Sequence, residues 1–176
     1  MDYTIRYAGM QDILPLKKLW HLCFGDEASY VDFYYQNGFI CNQTLVLQAQ
    51  QEIVSMLTLM PCQIKAAGKT FFLQYVYAVA THPGMQGKGF STRLLEFAQK
   101  EATAAGVDYL FLTPASKSLF GYYGKRGYQT FFDKRTGQLS ANDVLHCQTL
   151  LSNVLLPAQF YKARSRFLKE MGPYLD

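Results

Sequence analysis

Apolar and polar residues alternate with the period of a β-sheet through much of the first half of the chain. Tyr3 to Tyr7 alternates as a first strand, and Thr44 to Ala49, Ile53 to Ile64 and Thr70 to Thr81 follow as later runs. Short polar or glycine-containing turns separate these later runs. The spacing therefore predicts a meander of antiparallel strands in the middle of the chain.

Helical spacing is found before and after these strands. A helix is predicted to begin at a cap on Asp12 and to run to about Phe24, and a shorter one spans Tyr30 to Tyr35. A longer helix is predicted beyond His82, and its recurring apolar positions are Phe90, Leu94, Ala98, Ala102 and Ala105. Gly106 is positioned to end that helix.

The rest of the chain completes an α+β order of elements. The further predicted elements are a strand at Tyr109–Leu112, a helix at Ser118–Arg126, a strand at Tyr128–Phe132, a strand near His146–Leu151 and a closing helix at Pro157–Met171. Together the elements predict a mixed, mostly antiparallel central sheet with helices on both faces. We expect one domain, with residues 1–156 as its body and 157–176 as its C-terminal helix and tail.

Composition and charge narrow the class of protein. Apolar residues make up 49% of the chain and charged residues 17%, which is typical of a packed globular domain. The net charge of +4 comes from scattered basic residues, so nucleic-acid binding is not predicted. No signal-peptide run and no stretch of about 18 apolar residues is present, which predicts a cytoplasmic protein without a membrane partner. The sequence leaves the oligomeric state open, and a homo-oligomer is one of the alternatives.

The cysteine pattern argues against a metal or disulfide framework. The four cysteines, Cys23, Cys41, Cys62 and Cys147, form no Cys-x-x-Cys pair, and the chain has three histidines. We therefore expect no metal site. Cys62 is the alternative acyl carrier, but no histidine stands in a motif that would activate it.

A glycine-rich turn at Met85–Thr92 separates the last predicted strand of the meander from the long helix. Glycines let a backbone pass close to a ligand, and a helix N-terminus favours phosphate, although many such turns only connect elements. A Walker pattern fails because Phe90 stands where its lysine belongs, and a dinucleotide fingerprint fails at Thr92. An anion-binding turn of another kind is indicated.

This turn resembles the Gln/Arg-x-x-Gly-x-Gly/Ala pyrophosphate loop of GNAT acetyltransferases. Gln86 and Gly89 match it, and Ser91 replaces the last small residue. Downstream, Tyr123-Gly124-Lys125-Arg126-Gly127-Tyr128 resembles the family's Tyr-x-Lys-x-Gly-Phe/Tyr segment. Within the family, Thr113-Pro114-Ala115 resembles the enhanced-intracellular-survival branch, so the chain is similar to a shortened relative of that branch.

The resemblance implies an N-acetyltransferase that moves an acetyl group from acetyl-CoA directly to a primary amine of a small molecule or peptide. Tyr123 would be the catalytic general acid that protonates the leaving thiolate. The residues implied to bind the cofactor are Val79, Ala80, Thr81, Gln86, Gly87, Lys88, Gly89, Phe90 and Ser91. A non-catalytic acyl-CoA binding module is the alternative.

The general base and the acceptor site are less well defined. No carboxylate lies between Glu52 and Glu96, so ordered water or the C-terminal carboxylate of Asp176 are the candidates for the base. Asp26 and Glu27 lie in the loop between the first two helices, which borders the acceptor in the family. They are candidates for binding a cationic amine, with helix capping as the alternative.

Overall fold

The computed structural model describes residues 2–66 and 68–131. The predicted strand near His146–Leu151, the predicted helix at Pro157–Met171 and the segment 157–176 lie outside the described residues. Within them the helices and strands are β1 (Tyr3–Tyr7), α1 (Ile13–Phe24), α2 (Ala28–Asn37), β2 (Thr44–Ala49), β3 (Glu52–Ala66), β4 (Lys69–Thr81), α3 (Phe90–Ala104), β5 (Tyr109–Phe111) and α4 (Ser118–Gly124).

The strands form one mixed sheet in the order β1-β2-β3-β4-β5. The first four strands pair antiparallel: α1 and α2 lie between β1 and β2, and short turns join β2 to β3 and β3 to β4. β5 joins β4 in parallel after the crossover through α3. A parallel neighbour needs such a crossover because both strands must run in the same direction. The predicted mixed, mostly antiparallel sheet is confirmed.

Both faces of the sheet are covered by helices, as predicted. Alternation along β2 sends Leu45 and Leu47 to one face and Val46 to the other. On the first face the buried partners come from α3 and α4, and they are Phe90, Leu94, Leu95, Ala98 and Tyr123. On the second face they come from α1 and α2, and they are Leu16, Leu19, Trp20, Val31, Tyr34 and Tyr35.

One predicted strand is wrong over the described residues, because residues 128–131 form no strand. The backbone N–H of Tyr128 donates to Tyr123 O at 3.3 Å, where it closes the turn after α4. Phe131 is 88% exposed, so its side chain does not enter the sheet's core.

Asp12 connects the first strand to the first helix in a way that the capping prediction missed. Asp12 is the N-cap residue of α1 by position, yet its side chain makes no capping hydrogen bond to that helix. Instead its carboxylate accepts two hydrogen bonds from the Arg6 guanidinium, at 2.6 and 3.0 Å, and one from the Gly9 N–H at 2.7 Å. The hydrogen bonds from Arg6 are the main reason that the pKa of Asp12 lies below its ordinary value.

We expect Asp12→Asn to lower the free energy of unfolding by about 1.5–3 kcal/mol at neutral pH, since charge-assisted hydrogen bonds to a buried carboxylate are lost. Because folding lowers the Asp12 pKa, its stabilisation is present above the ordinary aspartate pKa of about 3.9 and is lost as pH falls through the folded value. The difference between variant and parent in urea unfolding should therefore shrink in acid.

Asp32→Asn is the matched control. Asp32 pairs with Lys17 at 2.6 Å, but its side chain is 53% exposed, and a surface pair of this kind contributes little. Equal losses in the two variants, or a loss in Asp12→Asn that does not change with pH, would contradict the assignment.

Candidate functional site

The candidate site begins where β4 and β5 stop pairing. Their parallel ladder ends at the pair Tyr75–Phe111, but β4 continues to Thr81. Residues 76–81 therefore have no strand partner on their β5 side within the part of the chain that the structure describes. β5 itself ends at Phe111, so this stretch of β4, called the gap below, presents a row of backbone groups without a β5 partner.

Alternation along β4 decides which backbone groups face that gap. The His82 N–H donates to Val54 O on β3 at 2.8 Å, so Ala80 also directs its backbone toward β3, and Val79 and Thr81 direct theirs to the open edge. The Thr81 carbonyl already accepts hydrogen bonds from Gln86 Nε2 at 3.2 Å and from Cys23 Sγ at 3.4 Å. Of the three predicted strand residues, Val79 is thus the best placed to offer an open backbone group.

A β-bulge bends β4 at this edge. Met56 pairs with Ala80 and Thr58 pairs with Tyr77, so β4 has one more residue than β3 between these pairs. Ala78 has a φ of +50°, a conformation that costs an L-residue about 1–2 kcal/mol. A bulge re-aims the residues that follow it, here the end of the strand and the loop. The sequence gives no signal for this bulge because no glycine marks it.

The loop that follows is exposed and requires glycine at two positions. Gly87 and Gly89 have φ values of +76° and +78°, in the left-handed region. A Cβ atom built on either residue would meet nothing within 4 Å. Backbone conformation therefore requires these glycines, and the space beside them is open.

The loop delivers an uncapped helix N-terminus. Gly89 is the N-cap of α3 and has no side chain to accept from the first helical N–H groups. Phe90 is 4% exposed and anchors this end of α3 in the core. Lys88 is exposed, and its Nζ lies 3.1 Å from Met85 Sδ. The result is a set of outward N–H groups with the positive end of the helix dipole behind them.

Ser91 connects this helix end to α4. Its Oγ lies 2.6 Å from the Tyr122 hydroxyl. The Arg126 guanidinium stacks 3.4 Å above the Tyr122 ring and donates to Thr92 Oγ1 at 3.0 Å. Tyr122 and Arg126 were missed as site residues from the sequence. The signal that points to them is Ser91 itself, because a hydroxyl replaces the expected Gly or Ala.

Tyr123 is held by the way α4 ends. Gly127 has a φ of +85°, and its N–H donates to Gly124 O while the Tyr128 N–H donates to Tyr123 O. These are the two hydrogen bonds of a Schellman motif, and the expected apolar contact is present as the edge-to-face pair of Tyr123 and Tyr128, with ring centroids 5.7 Å apart. The spacing of tyrosine, glycine and aromatic residue thus has a structural cause.

The ionisation of Tyr123 suits a proton donor. Its side chain is 9% exposed, and burial is the largest cause that raises its pKa. The neighbouring Tyr122 and Tyr75 raise the pKa further, and Arg126 lowers it. Tyr123 therefore keeps its proton at neutral pH.

The predicted acceptor residues lie on the α1–α2 side. The exposed Asp26 accepts a hydrogen bond from Trp20 Nε1 at 2.8 Å. Glu27 is the N-cap residue of α2 but makes no side-chain capping bond, so the capping alternative fails for its side chain. Close by, the hydroxyls of Tyr30 and Tyr77 lie 2.9 Å apart, and sequence reasoning missed both.

Two absences among the described residues bear on the type of site. Residues 2–66 and 68–131 hold no group of three or more His, Cys, Asp or Glu side chains that is able to bind a metal ion. In the same part of the chain, no helix has the length and apolar character needed to cross a membrane.

Comparison with known proteins identifies the family. The family model described as "Acetyltransferase (GNAT) domain" matches residues 4–131. No sequence among the curated proteins matches the chain.

Solved structures share the fold at low identity. A GCN5-related N-acetyltransferase from Anabaena variabilis has a TM-score of 0.62 and 19% identity over 69% of this chain, which spans only 31% of that protein. An acetyltransferase from Trypanosoma brucei has a TM-score of 0.61 and 20% identity, and the match covers 78% of this chain and 100% of that protein. Glucosamine-6-phosphate N-acetyltransferase from Arabidopsis thaliana has a TM-score of 0.62 and 14% identity, and the match covers 80% of this chain and 100% of that protein.

The family model covers most of the chain, and it includes the open edge of β4, the glycine loop and Tyr123. This chain belongs to the GNAT acetyltransferase family.

Proposed function

We propose that the chain is an N-acetyltransferase that uses acetyl-CoA to acetylate a primary amine of a small molecule or peptide. The observation that carries the proposal is that three groups of open backbone N–H and C=O follow one another along the chain. The open backbone edge of β4 leads directly into an exposed glycine loop and the uncapped N-terminus of α3. An extended cofactor with an amide-containing arm and a pyrophosphate fits such a sequence of groups.

The residues proposed to hold the cofactor fall into groups that bind different parts of it. Backbone groups at Val79 and Thr81 suit the pantetheine amides, and the N–H groups from Gly87 to Ser91 suit the pyrophosphate. The Ser91 hydroxyl is engaged with Tyr122, so Ser91 contributes through its N–H instead of reaching a phosphate with its side chain. Gln86 closes the loop through Thr81 O. Lys125 and Arg126 line a cavity of about 290 Å³ beside α3 together with Glu96, whose charge offsets one of theirs.

The proposed chemistry is a direct transfer. Acetyl-CoA supplies an activated acyl group; a neutral amine forms the new N–C bond, the C–S bond breaks, and the amine loses a proton as the thiolate gains one. Holding the two reactants together supplies much of the acceleration. A β4 N–H near Val79 is suited to polarise the thioester carbonyl. Tyr123, buried and protonated, is suited to protonate the thiolate.

The alternative is an acyl-CoA binding module without turnover. It is favoured by the lack of any carboxylate on β4. Some members of the family carry a glutamate on this strand, at a place that falls near Tyr75 here. Release of free thiol from acetyl-CoA in the presence of amines separates the two functions. The narrower relationship to the enhanced-intracellular-survival branch rests on Thr113-Pro114-Ala115. That relationship, the cytoplasmic location and the single domain including 157–176 are parts of the proposal.

Gly89→Glu should abolish acetyl-CoA binding in isothermal titration calorimetry, because the side chain adds bulk and a repelling charge beside the pyrophosphate. Gly106→Glu is the matched control. Gly106 follows the other end of α3, has a φ of +70° and also faces open space, so it imposes the same backbone strain. Normal affinity in Gly89→Glu, or equal loss in both variants, would show that the loop is not the binding site.

Tyr123→Phe should lower kcat by about 100-fold or more while leaving the KM for acetyl-CoA nearly unchanged, because only the proton donor is removed. The loss should be smaller for acyl donors whose thiol has a lower pKa. Steady-state kinetics with one amine measures both effects. Tyr109→Phe, 61% exposed on β5, is the control. A Tyr123→Phe enzyme as fast as the parent, when chemistry limits the rate, would remove Tyr123 from the mechanism.

Tyr122→Phe should show the opposite kinetic pattern. Loss of the hydrogen bond to Ser91 loosens the first turn of α3, so the KM for acetyl-CoA should rise about 2- to 10-fold with kcat little changed. Ser91→Ala should match it, and the double variant should add nothing, because both changes remove the same bond. Additive effects in this cycle would contradict the coupling.

A further inference from the structure

We propose that the acceptor is a monoamine with an apolar, preferably aromatic, body, and that this body lies along a strip of rings formed by Tyr30, Tyr77, Tyr75 and Phe111. This inference rests on the proposed acetyltransferase function. It names the chemical class of the second substrate and the residues that select it.

The four rings form a continuous row. The Tyr75 ring lies with its centroid 5.0 Å from that of Phe111 and 6.0 Å from that of Tyr77. The Tyr77 hydroxyl in turn lies 2.9 Å from the hydroxyl of Tyr30 on α2. Tyr75, Tyr77 and Phe111 are half-buried, and Tyr30 is 47% exposed. Rings in this state keep accessible apolar surface, and Tyr77 also packs against the core on the α1–α2 side.

The strip borders the gap in the sheet. Tyr75 and Phe111 are the last pair of the β4–β5 ladder, so the gap begins beside their rings. Tyr77 lies two residues before Val79, with the bulge at Ala78 between them, and Val79 offers the open backbone group proposed to meet the thioester. The Tyr75 phenol is close enough to Tyr123 to influence its pKa. An acceptor on the strip therefore lies beside the proposed reaction centre.

The charges at the strip match a single ammonium group. Asp26 hydrogen-bonds to Trp20, and its negative charge contributes to raising the pKa of Tyr77, so it lies near that end of the strip. β4 and β5 contain no Asp or Glu at all. An aminoglycoside or polyamine would bring several positive charges, and the described strands β4 and β5 offer no carboxylate to match them along the strip. One amine beside Asp26 and its neighbour Glu27, with its body along Tyr75 and Phe111, fits the apolar character of the strip.

Aromatic surroundings also assist the attack. Ring faces pack against hydrocarbon or aromatic bodies and exclude water from them. Removal of water from the amine disfavours its charged form, and the neutral form is the one that attacks. A strip of rings thus lessens the need for the strand carboxylate that this chain lacks.

The test compares 2-phenylethylamine, n-butylamine and spermidine as acceptors in a thiol-release assay with acetyl-CoA. We expect kcat/KM for 2-phenylethylamine to be at least about 10-fold above that for the other two, since an aromatic pair adds to area burial. Tyr75→Leu and Tyr30→Ala should each reduce this preference about 3-fold or more without changing acetyl-CoA affinity in calorimetry. Phe33→Leu, 65% exposed and one helical turn from Tyr30 on α2 but not one of the four rings of the strip, is the matched control.

Calorimetric binding of the same three amines to the parent and to each variant decides the matter even without turnover. Binding of 2-phenylethylamine that weakens in Tyr75→Leu and Tyr30→Ala, but not in Phe33→Leu, supports the strip. Preference for spermidine, or selectivity that none of the variants changes, overturns it. If every amine binds but none is turned over, the acetyltransferase proposal is wrong. The strip proposal is then tested by the binding data alone.

Discussion

β5 pairs with β4 over only three residue pairs, while β4 runs on to Thr81, and the gap that follows determines the rest of the site. A sheet that stayed paired would satisfy its own backbone and would have no edge to offer a ligand. Because the pairing ends at Tyr75 and Phe111, the end of β4 is left as an open edge. The glycine loop, the start of α3 and the aromatic strip all lie along that edge.

Helices pack on both faces of the sheet that carries the gap. α3 is anchored by Phe90 and Leu94 in one core, and the α1–α2 pair is anchored by Trp20 in the other. The contact between Ser91 and Tyr122 then connects the glycine loop to the helix that carries Tyr123. In the proposed mechanism, binding of acetyl-CoA and protonation of its leaving group fall to these neighbouring segments.

Much of this arrangement follows from local sequence. The periods of the strands and helices, the positive-φ glycines at Gly87 and Gly89, and the helix-ending glycine before Tyr128 each have local causes, so they were predictable. The bulge at Ala78 was not, because it arises from register with β3 and no local residue marks it. The strand expected at Tyr128–Phe132 failed because ending α4 used the Tyr128 N–H. Contacts between distant segments, such as Tyr30 with Tyr77, have no local signal.

Hydrogen–deuterium exchange with and without acetyl-CoA tests most directly whether the gap and loop form the cofactor site. The account predicts slower amide exchange on addition of acetyl-CoA in residues 76–81 and in the loop from Gly87 to Ser91, with little change in β1 and β2. Such protection is expected because the open N–H groups exchange their hydrogens readily with solvent, and a ligand that accepts hydrogen bonds from them slows that exchange. Unchanged exchange in both segments at saturating acetyl-CoA, or protection confined to other strands, would contradict the account.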